Sequence, residues 1–450
     1  MQRLLLVAAL LFFIGCSHDE ELKPGQIKPK GAQLQQSIAV PFRVLTYNVA
    51  GLPQIFSSAK NRKEYTKTIG RIISDYDIVN VQEDFSYHSY LYQYNTHTDR
   101  TSTSGNVPFG DGMNTLAYYH IHGFKRVDWD KCNGSDCLTP KGFTYAKLRL
   151  EEGVYIDVYN VHTNAGSGSK NYAARRANIE QLANFIEKYS KGNAVLVFGD
   201  TNCRYTRKDD NIRLLHSKLG LRDAWIDIVK RGNMPSFGSS LMCKDLSQVL
   251  TDSQCETVDK ILYRGNQLID LKATNCYYPD GQFRASNGDA LSDHRPLAAE
   301  FVYQLSQYFR LSDQFGGPHG TPFNDINKLN RGMRPTELGI RCGKRLDQVN
   351  MKYSNNAYYK HGGNGGSSRK LKLQDGEYIK SVTLNRAKHK RHTRVFYAKF
   401  TTNKGRKLEG GSKTSSSKIY TAPDGWQIVG FHGRSGAEVD MLGVIYAPVY

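Results

Sequence analysis

The chain has 450 residues, of which 39% are hydrophobic and 23% charged. That composition excludes a disordered or collagen-like protein, and the length exceeds one ordinary core, so two or three domains are expected. The net charge of +19 is uneven: residues 313–450 hold 24 lysines and arginines against 10 carboxylates, and residues 41–312 hold 33 against 29. An anionic partner (glycan, lipid head group or nucleic acid) is therefore expected at the C-terminal part, with a merely solvated basic face as the alternative.

Residues 1–17 read as an export signal. Arg3 supplies the positive start, and Leu4 to Ile14 form an apolar run too short to span a bilayer. No later run is long enough either, so no transmembrane span is expected. Phe13-Ile14-Gly15-Cys16 resembles a bacterial lipobox with Cys16 as the lipidated residue, although Phe13 stands where Leu is usual. Cleavage near Ser17 is the alternative. Either route places the protein outside the cytoplasm, secreted or anchored to a membrane surface through Cys16. Residues 18–40, with Pro24, Gly25, Pro29 and Gly31, read as a flexible tether.

Phe42 to Val49 starts the first strand, and Tyr65 to Asp75 has helical spacing in Ile69, Ile72 and Ile73. Ile78 to Val81 is a short buried strand. Tyr87, Tyr90, Tyr92 and Tyr94 form either an interfacial aromatic patch or an ordinary strand face. Asn171 to Tyr189 is a helix, with Ile179, Leu182, Ala183 and Ile186 on one face. Ala194 to Phe198 is wholly apolar, as a strand covered on both faces should be. Strands and helices alternate, which predicts an α/β sandwich of two packed sheets flanked by helices. After Tyr303 the pattern changes. Gly-rich turns separate short strand-like runs at Lys370–Leu373, Tyr378–Leu384 and Val395–Phe400.

Cys132, Cys137, Cys203, Cys243, Cys255 and Cys276 lie in the first region. An even set in an exported domain reads as disulfides of open connectivity, with Cys132–Cys137 the simplest pair. A zinc site is the weaker reading, because no Cys-x-x-Cys or nearby His pair completes it. Cys342 stands apart and reads as a buried free thiol.

Polar residues gather beside the apolar runs: Thr46-Tyr47-Asn48, Val81-Gln82-Glu83, Tyr159-Asn160-Val161-His162, Gly199-Asp200-Thr201-Asn202, Val258-Asp259-Lys260 and Ser292-Asp293-His294. A sheet-built hydrolase presents metal ligands and an acid/base pair to one phosphate in this way. The series resembles the endonuclease/exonuclease/phosphatase superfamily over residues 41–305, with six motifs in family order. The resemblance implies a four-layer α/β sandwich and a phosphodiesterase requiring Mg²⁺ or another divalent cation. It implies Glu83, Asn48 and Asp293 on the metal side, and His294 as the base that takes the proton from water, oriented by Asp259. Asp200 and Asn202 would position the water and a phosphoryl oxygen, and His162 would stabilise the departing oxygen. Thr201 stands where relatives commonly carry Phe or Leu.

Residues 313–450 resemble jacalin-type lectins in Phe315-Gly316-Gly317, His361 to Gly366, and Gly430 to Gly443. That implies an all-β prism of three sheets whose sugar site combines Gly317 with Gly436, the amides of Ala437 and Glu438, and the Asp440 carboxylate. Plant lectins have aromatic residues where Ala437 and Glu438 stand here.

Lys141-Gly142-Phe143, Val161 to Ala165 and Arg175 to Ile186 resemble bacterial neutral sphingomyelinases. The expected function is an exported phosphodiesterase of sphingomyelinase or phospholipase C type, monomeric, and targeted by a lectin-like domain. Two alternatives stand. One is an exported deoxyribonuclease-like endonuclease, because Cys203 and Cys255 resemble a disulfide pair of pancreatic deoxyribonuclease and the basic C-terminal part suits DNA. The other is a carbohydrate-binding protein with a degenerate enzyme domain.

Overall fold

A computed structural model of the chain describes residues 38–52, 61–105, 110–243, 246–250 and 252–450. The expected export signal, Cys16 and all but the last residues of the tether lie outside the described residues.

The first part contains twelve strands among the described residues. They are β1 (Val40–Asn48), β2 (Ile78–Gln82), β3 (Asp99–Arg100), β4 (Asn114–Ala117), β5 (His120–Asp128), β6 (Gly142–Glu151), β7 (Val154–His162), β8 (Ala194–Asp200), β9 (Arg222–Asp223), β10 (Asp259–Arg264), β11 (Ile269–Tyr277) and β12 (Leu297–Leu305). They form two six-stranded sheets, in the orders β11-β12-β1-β2-β4-β3 and β5-β6-β7-β8-β10-β9. The sheets pack face to face through Phe42, Val44, Ile78, Val158, Ile261 and Phe301.

Helices cover the outer faces. α1 (Arg62–Ile72) sets Ile69 on the outer face of the first sheet with Val79 and Val81. α2 (His88–Tyr92) follows, so Tyr87–Tyr94 is a short helix with its flanks and not a strand face. α3 (Ser169–Tyr189) buries Ile179, Leu182, Ala183 and Ile186 with Val195 and Val197 of the second sheet. The result is the four-layer α/β sandwich.

The disulfide expectation needs correction. Cys132–Cys137 forms, but Cys255 pairs with Cys243, at a Cα–Cα distance of 4.8 Å. Cys203 and Cys276 are buried free thiols, as is Cys342. The deoxyribonuclease-like Cys203–Cys255 pair is therefore absent.

The C-terminal part is a three-sheet β-prism. One sheet joins Arg310–Leu311, Val439–Pro448, Trp426–Ser435 and Thr321–Asn324, with Phe315–Gly316 also paired to Val439–Pro448. The second runs through Tyr358–Gly362, Leu346–Tyr353, Pro335–Cys342 and Ser367–Lys372, and the third through Lys407–Gly411, His392–Thr402, Ile379–His389 and Ser416–Thr421. Ile340, Val349, Leu384, Phe400, Phe431 and Ile445 fill its interior.

The two parts meet at a polar junction. The Asp313 carboxylate accepts Nε and Nη2 of Arg149 at 3.1 and 2.8 Å, the Gly153 amide at 2.9 Å and the Tyr155 hydroxyl at 2.7 Å. Asn324 donates to Asn193 Oδ1 at 2.9 Å, and Gln267 N donates to Asn327 Oδ1 at 3.0 Å. Among the described residues no helix is long and apolar enough to cross a membrane.

Candidate active site

Side chains alternate along a strand, so Thr46 and Asn48, Asn80 and Gln82, Asn160 and His162, and Phe198 and Asp200 lie pairwise on the same face of their strands. β7 and β8 run parallel with His162 opposite Asp200, and β10 returns antiparallel with Asp259 opposite Asp200. Three site residues of the second sheet thus share one rung. On the first sheet Asn48 lies opposite Gln82, and Glu83 follows directly.

Asn48 joins the two halves. Its Nδ2 donates to Glu83 Oε1 at 3.1 Å, lies 3.4 Å from Asp200 Oδ2 and sits 3.5 Å from His294 Nε2. Its Oδ1 accepts the Ala50 amide at 3.0 Å. His294 Nδ1 lies 3.1 Å from Asp259 Oδ2, and its Nε2 is 3.7 Å from Asp200 Oδ2. His162 Nε2 lies 3.4 Å from Asp200 Oδ2, while its buried Nδ1 has no protein partner. The Asn202 amide donates to Asp200 Oδ1 at 2.9 Å, and Asn202 Nδ2 donates to Thr163 O at 3.2 Å. Asp293 is exposed, with Oδ1 3.3 Å from Ser292 Oγ.

Ala50, Glu83 and Asn202 all have left-handed backbones, with φ of 48°, 57° and 49°. Non-glycine residues adopt this region at a cost and only where the surroundings enforce it. Gly51 packs closely against Glu83: its amide donates to Glu83 O at 2.9 Å, and a Cβ on Gly51 would stand 2.3 Å from that oxygen.

Burial sets the charge states. It opposes ionisation of Glu83 and pushes its carboxyl up, with the Asn48 amide working against the shift. It pushes Asp200 up as well, opposed by the charge of His294. It holds the His162 imidazole well below its ordinary range, helped by Lys141 and His294. For His294 burial favours the neutral ring, but Asp259 and Asp200 outweigh it and hold the pKa well above the ordinary value.

Asp200, Asp259 and His294 bring ligand-type atoms within 4.8 Å of one another. Asp259 already takes His294 Nδ1, which makes this trio a proton-holding network. Of the three residues expected on the metal side, Glu83 and Asp293 offer carboxylate oxygens, and burial disfavours the charge of Glu83, so a cation beside it would restore its ionised form. Asn48 departs from the expectation: its amide nitrogen faces Glu83 and its Oδ1 takes the Ala50 amide, so in this arrangement it supports Glu83 and offers the cation no oxygen.

Three contributors escaped the sequence reading. Lys141, ion-paired with Asp136 Oδ1 at 2.7 Å, acts electrostatically on Glu83, His162 and Asp200. Ser292 Oγ donates to Asn48 O at 2.6 Å. Buried Arg62 donates to Leu291 O at 2.9 Å and to Val49 O at 2.5 Å, fixing the loop that carries Asp293 and His294. Lys141 was legible as the residue before the Gly142–Phe143 strand start; Arg62 and Ser292 gave no signal beyond residue type.

The expected sugar residues also come together. Gly317 N donates to Asp440 O at 2.8 Å, and Gly436 N to Glu438 O at 2.9 Å. Asp440 is buried, and its Oδ1 accepts from Arg394. Glu438 accepts both Nε and Nη2 of Arg345, at 2.8 and 2.6 Å, and pairs with Arg394 Nε at 3.2 Å. Both carboxylates of this loop are therefore neutralised from within the chain. The Ala437 carbonyl packs on Gly363, where a Cβ would stand 2.4 Å away.

Residues 32–236 match the family model for endonuclease/exonuclease/phosphatase family 2, and residues 312–445 match that for the jacalin-like lectin domain. A sphingomyelinase of Mycobacterium bovis is 39% identical over 277 residues, covering 59% of this chain and 54% of that protein. The chain thus spans about half the length of the curated relatives it matches. The jacalin-related lectin 22 of Arabidopsis thaliana is 32% identical over 175 residues, 37% of this chain and 36% of its own. The crystal structure of sphingomyelinase C from Streptomyces griseocarneus aligns with a TM-score of 0.42 at 16% identity, covering 58% of this chain and 99% of that one.

Proposed function

From the match of residues 32–236 to endonuclease/exonuclease/phosphatase family 2 and of residues 312–445 to the jacalin-like lectin domain, we propose that the chain is a member of that enzyme family and acts as an exported, divalent-metal-dependent phosphodiesterase on sphingomyelin. The observation that carries this reading is the placement of Asn48. One amide nitrogen touches Glu83, Asp200 and His294, so a cation-holding half and a proton-handling half face a single point.

His294 in its neutral form takes the proton from the attacking water at Nε2; Asp259 and Asp200 raise its pKa, which makes it a stronger base and lets the neutral form gain as the pH rises. Asp259 fixes the ring through Nδ1 and, with Asp200, stabilises the imidazolium that results. Asp200 and Asn202 orient the water and one phosphoryl oxygen. His162, kept neutral by burial, meets the departing oxygen. Glu83 and Asp293 would hold Mg²⁺, with Asn48 orienting Glu83 through its amide nitrogen, and the cation when bound neutralises charge on the phosphate.

Sphingomyelin is favoured over nucleic acid by the 39% identity to a sphingomyelinase and by the small charge excess of residues 41–312. The two disulfides suit an oxidising compartment and so support export. The deciding assay presents the full chain with Mg²⁺ to sphingomyelin, phosphatidylcholine, plasmid DNA and inositol phosphates. Phosphocholine release from sphingomyelin should exceed plasmid nicking. Rapid plasmid degradation without lipid cleavage would make the protein an exported nuclease.

A further inference from the structure

The site is divided between the sheets. Asn48 ends β1, Glu83 follows β2 and Asp293 precedes β12, three strands of the first sheet. His162, Asp200 and Asp259 belong to β7, β8 and β10 of the second. The two sheets must keep one lateral offset for the halves to meet at one phosphate. Aliphatic packing alone is non-directional and does not fix such an offset closely.

Directly beneath the site, the layer between the sheets is amide instead of aliphatic. Asn80 Nδ2 donates to two carbonyls of the opposite sheet, Tyr159 O at 3.1 Å and Phe198 O at 3.0 Å. Asn160 Nδ2 returns the contact, donating to Val81 O at 2.9 Å and Asn114 O at 3.0 Å. Gln82 Nε2 donates to Asn160 Oδ1 at 2.7 Å, which closes the lattice. Thr115 Oγ1 donates to Asn80 Oδ1 at 2.7 Å, and Thr46 Oγ1 shares Gln82 at 3.3 Å. Each of these five side chains is fully buried.

We propose that Asn80, Gln82 and Asn160 are positioning residues that lock the two sheets in the register the reaction needs. Gln82 precedes Glu83, and Asn160 lies two residues before His162 on the same face of β7. The lattice therefore couples the cation-holding half to the phosphate-orienting half. Hydrogen bonds are directional, and leaving a buried partner unmade is costly, so a slide of the sheets breaks five inter-sheet bonds at once. Asn48–Glu83 beside the first sheet and His162–Asp200 in the second survive such a slide, whereas His294–Asp259 crosses the seam and breaks with the lattice.

The proposal rests on the phosphodiesterase reading above, and its test separates the two. Asn160→Ala is compared with wild type for turnover, for KM and for Mn²⁺ affinity measured by electron paramagnetic resonance. Mn²⁺ affinity should stay within about twofold, because its ligands share one sheet. Turnover should fall at least tenfold, with little change in KM. Thr115→Val, which removes only the hydroxyl supporting Asn80, should give a smaller loss of turnover, and it carries the test should Asn160→Ala not fold. Turnover within twofold of wild type, with a lowered melting temperature, would reduce the lattice to ordinary structure. Loss of Mn²⁺ affinity in parallel with turnover would equally overturn the division between the sheets. If the wild-type chain itself cleaves none of the phosphodiesters, the functional reading fails; preserved Mn²⁺ binding in Asn160→Ala would then still bear on the division, and its loss would overturn it.

Discussion

His294 Nδ1 stands 3.1 Å from Asp259 Oδ2, across the seam between the two sheets, while the second Asp259 oxygen is buried without a protein partner. The contact fixes the ring and leaves Nε2 toward Asp200 and Asn48. His294→Ala should lower turnover by roughly 10²–10⁴-fold without unfolding the chain. Asp259→Asn should also lower turnover, by a smaller factor, because it removes the orienting charge and keeps the base. Near-wild-type turnover in a His294→Ala protein of unchanged circular dichroism would remove His294 from the mechanism.

Chelation should abolish activity and Mg²⁺ should restore it. Glu83→Gln should raise the Mg²⁺ concentration needed for half-maximal rate, since it deletes the buried carboxylate of the cation half. A titration of rate against Mg²⁺ in the two proteins measures this. Full activity in excess EDTA would end the metal-dependent account.

Acid should slacken the domain junction in two stages. His432 meets Ser312 O at 3.0 Å and Gln314 Nε2 at 2.9 Å, on either side of Asp313, and burial, reinforced by Lys147, holds its pKa down at about 3, against an ordinary 6.5. The unfolded chain therefore binds the extra proton between those values, and stability present above pH 6.5 is lost progressively as the pH falls toward 3. Asp313 is held at about 2, below its ordinary 3.8; burial alone would raise it, but Arg149, the Gly153 amide and the Tyr155 hydroxyl outweigh that. Its contribution persists above 3.8 and disappears as the pH falls through about 2. Melting temperature against pH should therefore decline below 6.5, and His432→Gln should flatten that decline between pH 6.5 and 4. An unchanged slope would discount His432.

Anion binding should reside in one hairpin tip. Lys388, Lys390 and Arg391 are exposed where Ile379–His389 turns into His392–Thr402, whereas Arg394 is engaged by Glu438 and Asp440. Replacing the three tip residues by glutamine should shift elution from heparin to lower salt and leave hydrolysis of a soluble phosphodiester unchanged. Surface contacts of this kind are screened at physiological ionic strength, where the Debye length is about 8 Å. Elution at the wild-type salt concentration would remove the tip from anion binding.

Strand alternation made much of the site readable. A polar residue within an otherwise apolar strand marks an inward position, and Asn48, His162 and Asp200 sit at such places. The apolar run Ala194–Phe198 and the helical spacing at Ile179–Ile186 were legible for the same reason, since one period dominates each. Cysteine pairing was not legible, because it depends on chain paths through long loops that carry no period. Cys255 therefore met Cys243 instead of Cys203. The state of Asp440 was also hidden: its partner Arg394 lies 46 positions away, on a strand of another sheet. Nor could the sequence disclose the left-handed backbone of Glu83, on which Gly51 closes from 32 positions away.

The hydrogen bonds that join the prism to the sandwich fall on Arg149, Gly153, Tyr155, Asn193 and Gln267. These flank the turns at the rear of the strands, whose front ends carry His162, Asp200 and Asp259. β7 alone separates the junction from His162 by nine residues, about 30 Å at the rise of an extended strand. The second domain is thus mounted like a handle behind a blade. Among the described residues it lends no side chain to the hydrogen bonds of Asn48, His162, Asp200, Asp259 and His294, so a change in the prism reaches His162 only along the length of β7.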